Sequence, residues 1–86
     1  MPSTIATVAS AIGLHARPAT IIAEAVTGTG STVTLALEGA EPVDAGSALM
    51  IMTLGAEKGT RVVVTADDQA ALDKVVELIE TDLDAD

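Results

Sequence analysis

One short stretch concentrates the residue types that do chemistry: Gly13-Leu14-His15-Ala16-Arg17-Pro18-Ala19. It holds the only histidine of the chain, one of its four basic residues and one of its three prolines. An imidazole is a nucleophile when neutral, and a guanidinium two residues on can offset an anion's charge through its planar set of donors. Gly13 gives the backbone freedom to turn. Pro18 fits a first helical turn, where a missing N–H leaves no intrahelical bond unmade. Ala19, Ile22, Ala23 and Val26 follow at i, i+3, i+4 and i+7, so the spacing predicts a helix starting near Ala16. His15 then stands at or next to the N-cap, beside unpaired backbone N–H groups and the positive end of the helix dipole. An imidazole facing an anion-binding pocket that it could itself attach to reads as a phosphorylatable histidine.

The rest of the composition narrows the classes of function. The 86 residues, expected to form one domain over 1–86, are 49% hydrophobic and contain no aromatic side chain, so the core must be aliphatic. A net charge of −9 makes nucleic acid and anionic membranes poor partners. The absence of cysteine rules out disulfides and thiolate chemistry and is compatible with the cytoplasm. No signal peptide is evident, and no apolar run approaches the ~18 residues that read as a membrane span. Asp82-Leu83-Asp84-Ala85-Asp86 lacks the glycine and distal glutamate of a calcium loop and reads as a solvated acidic tail. No metal and no cofactor are expected.

The elements that must position His15 follow from periodicity. Thr4–Ala9 reads as a first strand. The helix after the motif should run to about Val26 or Thr27, with Gly28 in the left-handed position that ends it. Thr32–Leu37 alternates, with Val33, Leu35 and Leu37 on one face, and a turn at 38–41 leads to an edge strand at Pro42–Asp44. Ser47 caps a short helix through Met52 or Thr53. Gly55 to Gly59 is a loop, and Arg61–Ala66, with three consecutive valines, is a central strand. Asp67 or Asp68 caps a last helix whose apolar stripe is Leu72, Val75, Val76, Ile79 and Leu83. The order β-α-β-β-α-β-α favours an α+β open-faced β-sandwich. In it, a four-stranded antiparallel sheet is covered on one face by three helices, and the last strand lies between the first and second.

The seven residues from Gly13 to Ala19 resemble the phosphohistidine motif of the HPr family, the phosphocarriers of the bacterial phosphoenolpyruvate-dependent sugar phosphotransferase system. Length and element order are similar over nearly the whole chain. The resemblance implies the same open-faced sandwich. It implies a stoichiometric carrier, not an enzyme, whose His15 accepts phosphate on Nδ1 from Enzyme I while Arg17 and the helix amides hold it. It further implies onward transfer to sugar-specific IIA domains, in the cytoplasm and as a monomer. The docking face it implies lies on the first helix, at Ala16 and Thr20, and on the short helix.

Ser47–Leu54 has more apolar positions than a short helix can bury. It is either a fully buried helix or, as the resemblance favours, a half-exposed and adaptable docking patch with Ala48, Leu49 and Met52 facing out and Met50, Ile51 and Leu54 facing in. Ser47 matches a serine that a regulatory kinase phosphorylates in some relatives. Those relatives carry a basic residue before it and Ile-Met after it, where this chain has Gly46 and Ala48-Leu49. Several relatives also carry lysines where Glu24, Thr27 and Gly46 stand here, so steering by the carrier's positive charge should be weaker. Two other readings are open: the same chemistry in a nitrogen-related or dihydroxyacetone branch, and a regulatory binding module that transfers nothing. The presence of His15 argues against the second.

Overall fold

Valine-rich segments make the middle of the sheet, because β-branched side chains pack well on a pleated surface. The computed structural model describes residues 2–11 and 13–81. Its elements are β1 (Ser3–Thr7), α1 (Ala16–Thr29), β2 (Val33–Leu37), β3 (Val43–Asp44), α2 (Ala48–Thr53), β4 (Arg61–Ala66) and α3 (Gln69–Ile79). The strands are ordered β1-β4-β2-β3. All three pairings are antiparallel, so β4 sits between β1 and β2 as its valines predict. In β4, Val62, Val64 and Ala66 are buried under the helices, while Val63 and Thr65 alternate to the other face. Ile5, Val63 and Ala36 stand in register across that uncovered face.

Helix α1 turns Ala19, Ile22, Ala23 and Val26 into the core and packs against both α2 and α3. The stripe of α3 is also as expected: Leu72, Val75 and Ile79 are buried and Val76 is half-buried, while Leu83 lies outside the described residues. Asp68 is its N-cap, accepting from the Ala71 N–H at 3.1 Å. Asp67 instead accepts from the Thr32 N–H and ties β4 to the start of β2.

Five boundaries differ from those read in the sequence, two of them by a single residue, with β1 starting at Ser3 and β2 at Val33. Helix α1 runs through Gly28 and ends at Gly30, which holds the left-handed conformation (φ 70°). The Thr29 hydroxyl donates to the Val26 carbonyl and the Gly30 N–H to the Thr27 carbonyl, satisfying last-turn acceptors beyond Gly28. Strand β1 stops at Thr7, because Val8 and Ala9 bond to Thr60 and to the end of α3 at Ile79 instead of a strand. Pro42, with no N–H to give, stays out of the two-residue edge strand β3.

Candidate functional site

Leu14 anchors the loop that carries the histidine. Its side chain is buried, and its N–H donates to the Ala56 carbonyl at 2.9 Å. Gly13 makes this approach possible. Its φ is +77°, and an added Cβ would overlap the Ala56 oxygen and come within 2.8 Å of Glu57 Cα. The loop between α2 and β4 therefore clamps the histidine loop from behind. The sequence marks Gly13 as a turn and 55–59 as a loop. It carries no signal that the two touch.

His15 is the N-cap of α1, with extended backbone (φ −85°, ψ −164°). Its carbonyl accepts from the Ala19 N–H at 2.9 Å, the first bond of the helix. Its imidazole makes no capping hydrogen bond and is exposed. Pro18 has no N–H, so the amides of Ala16 and Arg17 are the ones this helix cannot satisfy within itself. They point toward the cap, at the positive end of a 14-residue helix. The side chain of Arg17 is exposed, and among the described residues the one ion pair is Arg61 with Glu38, at 3.5 Å. A nucleophilic ring and two helix-start amides stand at one exposed corner, the helix end, with a cation that has no carboxylate partner in that set two residues on. That arrangement can receive a tetrahedral anion and can release it.

Beside this corner, Arg17, Thr20 and Glu24 form one exposed stripe of α1, and Ala16 is exposed at its head. The Thr20 hydroxyl donates back to the Ala16 carbonyl at 2.7 Å. On α2, Ser47 caps as expected, accepting from the Met50 N–H at 3.3 Å. The faces of α2 need correction. Ile51 is fully buried, and each residue step rotates about 100° around the helix. Met50 and Met52 thus flank Ile51 on either side and are 40% and 36% exposed, while Leu49 lies opposite and is 69% exposed. Ala48 and Leu54 fall closer to the buried line and are half-buried against the core. Met50 therefore belongs to the exposed patch, and Ala48 only borders it. A helix of six residues is too short for an alternation count to fix its roll.

The chain matches a family model described as "PTS HPr component phosphorylation site" over residues 2–81. It is 43% identical to the phosphocarrier protein HPr of Streptomyces coelicolor, covering 78% of this chain and 75% of that one. A crystal structure of an HPr from Thermoanaerobacter tengcongensis is similar at a TM-score of 0.88 and 28% identity, covering 100% of this chain and 99% of that one. The phosphocarrier protein HPr of Bacillus anthracis is similar in fold at a TM-score of 0.84 and 21% identity, covering 91% and 95%.

Proposed function

The chain belongs to the HPr family of phosphotransferase-system phosphocarriers, and from that premise we propose that His15 takes a phosphoryl group from phospho-Enzyme I and passes it to sugar-specific IIA domains. The observation that carries this reading is the imidazole of His15. It occupies a helix N-cap without capping, exposed, with Arg17 and two helix-start amides beside it.

The step follows from ordinary nucleophilic chemistry. The neutral ring keeps its hydrogen on Nε2, and the lone pair on Nδ1 attacks phosphorus. As the Nδ1–P bond forms, the bond from phosphorus to the donor breaks and its electron pair stays with the donor. The Arg17 guanidinium and the amides of Ala16 and Arg17 offset the charge of the transferring group. The same atoms run the reverse bond change toward an IIA acceptor. An exposed site with one arginine suits a carrier, because a deeper cage would hold the phosphate too tightly to release it.

Both partners meet the corner through Ala16 and Thr20 of α1 and through Leu49, Met52 and Ala48 of α2. The carrier acts as a single domain, as a monomer and in the cytoplasm. Among the described residues no helix is long and apolar enough to cross a membrane. The test is charging and discharge. Incubation with Enzyme I and phosphoenolpyruvate should give one acid-labile phosphate per chain, and adding a IIA domain should remove it. A chain that stays unlabelled, or a label stable to acid, contradicts the reading.

A further inference from the structure

The charge around the docking corner is unlike the charge of the molecule as a whole. Thirteen acids face four bases over the chain. Arg17 and Glu24 are the charged residues of α1, and α2 has none. The clamp loop against the histidine loop adds Glu57 and Lys58, both exposed. The corner therefore carries two charges of each sign around an apolar centre at Leu49 and Met52. Away from it the described surface carries more acid than base: Glu38 and Glu41 at the β2–β3 turn, Asp67 and Asp68 before α3, and Asp73, Glu77 and Glu80 on α3 and at its end, against Arg61 and Lys74.

Contact size makes this asymmetry consequential. A standard interface covers about 800 Å² on each partner. The whole structure exposes 4443 Å², so such a footprint takes up roughly a fifth of it. It cannot stop at the Leu49–Met52 patch: it takes in Glu24 on α1, and at its margin the exposed Asp44 accepts from the Gly46 N–H just before α2, beside Val26 and Thr27 of α1. An acidic partner would be repelled there at every distance within the Debye length of about 8–10 Å.

Building on the docking face proposed above, we infer that the phosphoryl donor seated over α1 and α2 presents an apolar centre ringed by basic side chains. The neutral centre supplies burial, and the ring of the partner complements the acid around it.

The experiment uses the full chain and Enzyme I of the same organism. Charging of His15 from phosphoenolpyruvate is confirmed first, so that a failure of the carrier reading is seen separately. The dissociation constant is then measured from low to physiological salt. It should rise severalfold, as attraction between opposite charges is screened. Glu24→Lys should weaken binding severalfold at low salt, more than Glu77→Lys, which makes the same charge change on α3 outside the footprint. At high salt the variants should converge on the parent. Glu24→Gln should fall between Glu24→Lys and the parent. A constant that falls with salt or ignores it, a Glu24→Lys variant that binds more tightly, or equal effects at both sites would overturn the inference.

Discussion

At the scale of single residues, His15 and Arg17 are separable from stability. Replacing an N-cap that bonds by its side chain costs about 0.5–2 kcal/mol. The His15 imidazole makes no such bond, so His15→Ala should melt close to the parent while losing all phosphorylation by Enzyme I. Thermal melts and acid-labile label on the same two samples check both halves. Labelling at the parent level would remove His15 from the mechanism. Arg17→Ala should slow transfer with little change in melting, since the side chain is exposed and no ion pair holds it among the described residues. Arg17→Lys should recover only part of the rate, because an ammonium keeps the charge but not the planar fork. Equal initial rates for all three proteins would contradict the role. Both residues are legible in the sequence because their meaning is local: spacing alone puts His15 at a helix start with Arg17 two positions on.

At the scale of elements, the histidine loop depends on a contact that spacing does not reveal. Gly13→Ala should destabilise the protein by about 1–3 kcal/mol, for the positive φ and for the overlap with Ala56. A chemical denaturation midpoint reads it, and an unchanged midpoint would mean that the loop from α2 to β4 does not clamp the site. Ser47 tests the short helix. Ser47→Ala should cost about 0.5–2 kcal/mol, toward the lower end for a 3.3 Å cap bond, with transfer nearly unchanged. Ser47→Asp should melt at or above the parent, since aspartate caps well and suits a helix start, yet be charged more slowly by Enzyme I. Its added charge lies beside Leu49 and Met52, where docking must exclude water. An Asp variant charged at the parent rate would take α2 out of the docking face. Helix α3 is legible because its eleven residues repeat their pattern. Helix α2 has one buried residue and no repeat, so its roll is fixed by where Ile51 finds the core, and Met50 turns outward with it.

At the scale of the whole molecule, an aliphatic core carries the fold. With no aromatic residue anywhere, Ile22, Leu35, Ile51 and Ile79 are the largest fully buried side chains. Ile22→Ala, on the buried face of the helix that presents His15, should cost about 2–5 kcal/mol, and a loss under 1 kcal/mol in denaturant titration would place it outside the core. The strand order is legible because the β-α-β-β-α-β-α order and three valines in a row leave few ways to bury the sheet. The lopsided placement of the acids is not, since a net charge says nothing about which helix faces a partner. The central claim, that the sole histidine is the phosphoryl acceptor, has one direct measurement. In a chain with one imidazole, proton–nitrogen NMR of the ring reports on His15 with no ambiguity of assignment. Adding phosphoenolpyruvate and a catalytic amount of Enzyme I should move the ring signals to those of an Nδ1-phosphorylated imidazole, and acid should return them. Ring signals that stay in place while the protein is exposed to active Enzyme I would contradict it.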